Sequence, residues 1–225
     1  RITQKGLDYA AQEGALALQK ELPKITIPDI RGDFAIKLLG IGSYSIYNLS
    51  ISRLELPSSL LRFQPGKGLR LSISNLSLRV SGDLKGSLNF IKLEGNFQLS
   101  VEGLSISAAL RIESDPSGRP TVTLSSCSSS IGDLRLHFSG SVLGWLINLF
   151  RKFIENTLRK VLEGQICPVI DSAVSNKMND LLQTLPLSIS LDDLIGVDYS
   201  LVSPPRVTAS FLDVRLKGKF FWKNH

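Results

Sequence analysis

Few residues in this chain could do chemistry on their own account: two histidines, two cysteines and one adjacent acidic pair in 225 residues. His137 and His225 stand far apart, the second at the end of the chain, so neither a His-Cys metal cluster nor a Ser-His-Asp set assembles around them. "GSVLG" at 140 to 144 has its serine one place too early for a nucleophile elbow. "GIGSYS" at 40 to 45 lacks the third glycine of a dinucleotide loop. Both read as turns, and Asp192-Asp193 reads as a turn cap. The sequence therefore offers no catalytic residue and no metal ligand set, and it predicts a protein that is not an enzyme. Cys127 and Cys167 allow one bridge, around a loop of about 40 residues that chain entropy values at about 3 to 4 kcal/mol. Two cysteines leave the compartment open. The glycosylation sequons at Asn48 and Asn75 point modestly toward secretion, and with no signal peptide at Arg1 a processed chain is expected.

The elements that must position any site are apolar. Hydrophobic residues make up 43% and charged residues 20%, with mean hydropathy +0.12, which excludes disorder. No apolar run reaches the roughly 18 residues of a spanning helix. The formal charge of +6 suits an acidic partner. Aromatics are sparse and no basic run interleaves with them, so nucleic acid is not expected.

Residues 1–22 carry Leu7, Ala10, Ala11, Gly14, Leu18 and Leu22 at helical spacing, and Pro23 and Pro28 close that helix. From about 34 to 138 the period is two. Leu69, Leu71 and Ile73 give way to Leu76, Leu78 and Val80, an odd-to-even switch that requires an extra residue near Ser74-Asn75, a β-bulge. The same slip follows Phe97, Leu99 and Val101 at Glu102-Gly103. Repeated bulges predict a strongly coiled antiparallel sheet. Helical spacing returns over 142–185, through Leu146, Phe150, Phe153 and Ile154, with a kink expected at Gly164 and Pro168. Short strands follow Pro186 and run again from Arg206 to Phe221. The fold class is α+β: an elongated barrel of twisted antiparallel sheet with two helices against it.

A helix face of small residues over a curved sheet leaves width. Leu7, Ala10, Ala11, Gly14, Leu18, Leu71, Ile73, Leu99, Val101, Leu146, Phe150, Phe153 and Ile154 could line an apolar tunnel suited to acyl chains, or could be ordinary core.

Seven segments make the chain recognisable: "RITQKGLDYAAQEG", "PGKGLRLSISN", "LSVEGLSISA", "SGRPTVTLSSCSS", "GWLINLF", "LQTLP" and "DYSLVSPP". Over essentially its whole length it resembles the N-terminal barrel of the bactericidal/permeability-increasing protein and lipopolysaccharide-binding protein family. "TIPDIRG" and "QICPVI" are also similar to the phospholipid-transfer branch of that superfamily. The resemblance implies that residues 1–225 form a single N-terminal barrel, one half of a boomerang whose second barrel is absent here. It implies two helices closing a twisted sheet over a phosphatidylcholine-like phospholipid, with no other cofactor. It further implies secretion, or storage in a granule, and a Cys127–Cys167 disulfide.

In the family's endotoxin binders, basic loops at the barrel tip engage phosphorylated lipid A, and the partner implied is bacterial lipopolysaccharide, met at lipid or membrane surfaces without spanning them. Carried onto this chain, that role falls to Lys37, Lys85, Lys92, Arg151 and Lys152. The sequence departs from its relatives where Asp83, Gly86, Ser87, Leu88 and Asn89 replace a denser basic cluster, and where Ala35 and Ile41 replace basic or polar neighbours. Leu88, Phe90 and Ile91 are instead expected to be exposed and to insert among acyl chains. Two readings follow: an antimicrobial, lipopolysaccharide-binding protein of innate immunity, or a phospholipid carrier with weak or no endotoxin binding.

Overall fold

The computed structural model describes residues 1–21, 23, 26–36, 40–139 and 144–223. Its spine is a long hairpin. Alternating apolar residues carry strand β5 over Gly68–Leu88 and strand β6 over Ile91–Ser114, and the two pair antiparallel along almost their whole length. At about 3.3 Å per residue, β6 alone spans roughly 80 Å, which makes the molecule elongated.

Each edge of this hairpin is shared by two shorter strands. β3 (Gly40–Glu55) pairs with the half of β5 nearest the β5–β6 turn, and β4 (Ser58–Gln64) pairs with the other half. On the far side β7 (Pro120–Ser130) and β8 (Asp133–Ser139) divide β6 in the same way. β2 (Ile30–Ile36) extends the sheet beyond β3. The β5–β6 turn at Asn89-Phe90 marks the distal end.

Both bulges read from the sequence are present. The β5–β6 register shifts between Ile73 and Leu76, where Asn75 adopts φ 56°, and Gly103 on β6 has φ 66°. A third shift lies between Tyr47 and Ser50, at Asn48 with φ 54°. Each bulge returns the apolar side chains to the inner face while adding twist. Opposite three inner-face glycines lies an aromatic ring. Tyr44 covers Gly32, Phe34 covers Gly42 and Phe97 covers Gly82, so closely that a Cβ at any of the three would collide with the ring.

Helix α1 (Gln4–Glu21) follows a two-residue strand β1 (Ile2–Thr3) and lies on β4. Leu7 and Ala11, one turn apart, are buried. Gln4 donates to the Leu61 carbonyl at 2.7 Å, and Ser59 donates to the Ala11 carbonyl at 3.0 Å. Helix α2 (Gly144–Ser172) passes through Gly164 and Pro168 without ending. The departure from α geometry comes later, as a π-helical turn at Ala173–Met178, and α3 (Asn179–Gln183) completes the segment.

Among the described residues, hydrogen bonding does not close the barrel, because β2 pairs only with β3 and β8 only with β6. α2 makes the closure. On one side its Phe153 ring meets Phe34 and Tyr44 at centroid distances of 5.9 and 5.2 Å. On the other, Arg159 donates to the Ile131 and Gly132 carbonyls, and Glu163 accepts the Ile131 N–H at 2.9 Å. Cys167 forms a disulfide with Cys127 of β7, the pairing that the resemblance implies.

At the proximal end β11 (Arg206–Val207) and β12 (Phe211–Asp213) form a small sheet with β1, and β13 (Lys219–Trp222) forms another with β10 (Ile195–Asp198) and β9 (Ser188–Ser190). The strand structure expected from Arg206 to Phe221 is thus three short strands. No helix among the described residues is long and apolar enough to cross a membrane.

Candidate functional site

Beneath the distal end of α2 the inner sheet face and the helix come close together. A narrow, nearly closed apolar cleft of about 20 Å³ remains, with Phe34, Tyr44, Leu84, Leu88, Leu93 and Phe153 among its walls. Strand alternation explains the lining, since residues 84, 86 and 88 of β5 and 91 and 93 of β6 all point inward. Gly86 contributes no side chain to fill the space. The Phe34, Tyr44 and Phe153 rings form a mutually contacting cluster across the seam between sheet and helix. Burial of the rings gives that seam its strength, and their edge-to-face geometry gives it shape.

Of the proposed tunnel residues, Phe153 and Ile154 line this cleft. Ile73, Leu99 and Val101 are fully buried in the packed interior, and Leu71 packs half-buried against it. Leu7 and Ala11 are buried under α1, whereas Ala10 and Gly14 lie exposed on the neighbouring stripe, and a Cβ on Gly14 would meet open space. The side chains of Leu18, Leu146 and Phe150 lie outside the described residues. Phe34, Tyr44 and Leu84 escape the sequence reading, and Leu88, expected at the exposed tip, lines the cleft instead. The available signal was an aromatic set opposite a glycine in paired strands, which becomes visible only once the register is known.

The charged candidates flank the cleft on two different sides. Lys85 and Lys92 project from the outer sheet face, while Arg151 and Lys152 are exposed on the helix that covers the inner face. They share the distal end without forming one cluster. Lys37 lies outside the described residues. Lys85 is committed: its Nζ lies 3.1 Å from Glu94 and 5.4 Å from the centre of the Tyr47 ring. The Glu94 hydrogen bond, helped by Tyr47, holds its pKa above the usual lysine value.

The tip corrects one expectation. Leu88 is 2% exposed and Ile91 half-buried, because alternation turns both to the inner face. Phe90, in the turn itself, is fully exposed, and Ile41 on the adjoining β2–β3 hairpin is exposed as well. Among the described residues of the tip, these two present apolar surface.

Asn48 and Asn75 are both exposed. Asn48 donates to Asp83 at 2.7 Å. No cluster of three or more potential metal-binding side chains occurs among the described residues.

Comparison with known proteins fits this architecture. The N-terminal domain of the LBP / BPI / CETP family matches residues 6–185, and its C-terminal domain matches residues 189–225. The chain belongs to the LBP / BPI / CETP family. Lipopolysaccharide-binding protein of Homo sapiens is 52% identical over 225 residues, covering all of this chain and 47% of the relative. Bactericidal permeability-increasing protein of Rattus norvegicus is 46% identical, again over all of this chain and 47% of the relative. A crystal structure of lipopolysaccharide binding protein superposes with TM-score 0.89 at 50% identity, covering all of this chain and 50% of that one. The chain thus spans about half the length of these relatives. Its elongated α+β fold is that of the LBP / BPI / CETP barrel, and membership agrees with a chain that is not an enzyme.

Proposed function

We propose that this chain is the lipid-binding barrel of a secreted innate-immunity protein that binds bacterial lipopolysaccharide at its distal end and holds phospholipid acyl chains against its apolar interior. The observation that carries the reading is the aromatic-walled cleft placed between cationic groups on both of its sides. Lipopolysaccharide, like any phospholipid, joins acyl chains to phosphate. The cleft offers apolar walls to the chains, and Lys92, Arg151 and Lys152 offer charge-assisted contacts to the phosphates. The Cys127–Cys167 disulfide supports an oxidising, extracellular setting. The sequon asparagines Asn48 and Asn75 are both exposed, which fits glycan attachment in that setting.

A second reading is a phospholipid carrier with weak endotoxin binding. Its support is the pairing of Lys85 with Glu94, together with the exposed Phe90 and Ile41, a tip suited to docking on a lipid surface. Organic extraction of the purified chain with lipid mass spectrometry, followed by lipid A competition at low and high salt, separates the two. Stoichiometric phospholipid with salt-sensitive lipid A binding is the expected result. Phospholipid without lipid A binding favours the carrier. Lipid A affinity no better than that for neutral phospholipid vesicles sinks the first reading.

A further inference from the structure

Helix α2 is fastened to the barrel unequally on its two sides. Along β7 and β8 the fastenings are directional or covalent. Arg159 donates to the Ile131 and Gly132 carbonyls, Glu163 accepts the Ile131 N–H on its carboxylate and the Ser129 hydroxyl on its carbonyl, and Cys167 is bridged to Cys127. All of them lie at or beyond Arg159. Along β2 and β3 the Phe153 ring meets Phe34 and Tyr44, and none of the described α2 side chains ahead of Arg159 makes a hydrogen bond or an ion pair. A hydrogen bond or disulfide holds one geometry, whereas apolar contact is non-directional and is replaced by any other apolar surface.

The closed seam leaves no room for a lipid. Its cleft of about 20 Å³ is far below the roughly 300 Å³ or more of a ligand-sized site. Deeper in, Ile73, Leu99 and Val101 are fully packed. The walls that can part are those joined by apolar contact alone. Beneath the rings the floor is glycine, with Gly32 under Tyr44, Gly42 under Phe34 and Gly86 in the cleft itself, so no floor side chain takes up the space when the helix moves. Lifting the helix exposes Phe153 and Ile154 to water, which keeps the closed form dominant. An acyl chain laid in the gap covers the same surfaces and removes that cost.

We infer that the distal turns of α2, up to Leu158, are a lateral lid that swings away from β2 and β3 about the turns fastened at Arg159 and Glu163, admitting an acyl chain between Phe153 and the Phe34–Tyr44 pair. This deepens the proposed function and rests on its acyl-chain half. The lid opens along the side of the barrel and leaves the β5–β6 turn in place.

Uptake of pyrene-labelled phosphatidylcholine from phosphatidylcholine vesicles by the full chain, read as loss of excimer emission, tests the lid. Phe153→Ala speeds uptake about tenfold, the population shift that loss of an aromatic contact produces. Leu76→Ala, which removes a buried side chain from the middle of the sheet, leaves the rate unchanged and separates lid opening from general loosening. Tyr44→Cys with Phe153→Cys, joined by a short bis-maleimide, takes up lipid about tenfold more slowly than the same variant before cross-linking; circular dichroism verifies the fold. Hydrogen exchange on the wild-type chain needs no variant: loading with phosphatidylcholine changes protection over residues 151–158 and leaves 159–167 as they were. Uptake unaffected by the cross-link, Phe153→Ala at the wild-type rate, or unchanged exchange over 151–158 on loading overturns the lid while the proposed function stands. A wild-type chain that takes up no phospholipid removes the acyl-chain reading and the lid together.

Discussion

Phe153 is the residue on which the distal seam turns. It joins α2 to both Phe34 and Tyr44, and those rings in turn cover Gly42 and Gly32, so its removal opens the cleft and leaves two glycines less firmly covered. Full burial of a phenylalanine sets a cost of 3 to 5 kcal/mol for truncation to alanine; Phe153 is half-buried, and Phe153→Ala is expected to destabilise by about 2 to 3 kcal/mol. Phe153→Leu, which retains most of the volume, costs less than half as much. Urea denaturation of the two variants measures the difference. A wild-type midpoint for Phe153→Ala would show that the helix is held without this contact. Helical spacing placed Phe153 and Ile154 on an apolar stripe of the sequence. Their partners Phe34 and Tyr44 were not legible, since period-two patterning marks which face a residue takes but not which strand lies beside it. Leu88 was misplaced for a related reason: the two-residue turn at Asn89-Phe90, which decides where alternation restarts, has no Gly to announce it.

At the scale of elements, the bulges at Asn75 and Gly103 were readable because a one-residue slip leaves an odd-to-even switch in the apolar pattern. Helix α2 runs on through Gly164 and Pro168, where the sequence places a kink. The helix is held on both sides of these residues, by Arg159 and Glu163 before them and by the Asn179 side chain after them, which exchanges two hydrogen bonds with the Val122 backbone at 2.9 Å each. Tertiary contacts of that kind leave no mark in local sequence. The disulfide adds the largest single constraint between α2 and β7. It closes a separation of 40 residues, so Cys127→Ser with Cys167→Ser is expected to lower stability by about 3 to 4 kcal/mol, read as a shift in the guanidinium midpoint. A midpoint unchanged by the double substitution would place the restraint elsewhere.

Acid acts on a different set of elements. Asp115 in the β6–β7 turn accepts from the Ser117 hydroxyl and N–H and from the Arg119 N–H; Asp192 accepts from the Ile195 and Leu194 N–H groups; Asp198 accepts from the Ser200 N–H and faces Lys217 at 3.3 Å. These hydrogen bonds hold all three carboxyls below the ordinary value of 3.8. Because the folded pKa is depressed, the stabilisation is fully present above 3.8 and is lost as pH falls through the lower folded values. The proximal turns are therefore expected to loosen below about pH 4, with little change between pH 5 and 7. Thermal melts across that range check the sign: a melting temperature that rises on acidification from pH 5 to pH 3 would contradict it.

Over the whole molecule, charge and apolar surface are distributed unevenly. Arg206, Arg215, Lys217 and Lys219 gather at the proximal end, so the formal charge of +6 does not describe the distal site. The same end exposes apolar side chains in a connected set. Pairing of β9, β10 and β13 places Ile189 beside Val197 and Val197 beside Phe220, with Trp222 beside Ile195, and Ile189, Phe220 and Trp222 are all exposed, Trp222 by 72%. A soluble chain rarely leaves such a patch uncovered. The 225-residue chain studied by itself is accordingly expected to self-associate through this sheet, and the surrounding cations oppose that association at low ionic strength. Raising salt screens the repulsion and strengthens the apolar contact, so sedimentation should show more dimer at high salt than at low salt. Trp222→Ser combined with Phe220→Ser should restore the monomer under both conditions, while leaving lipid A binding at the far end of the barrel unchanged. Dimer that persists in the double variant would remove this face from consideration, and lipid binding lost along with the dimer would mean that the two ends of the barrel do not act independently.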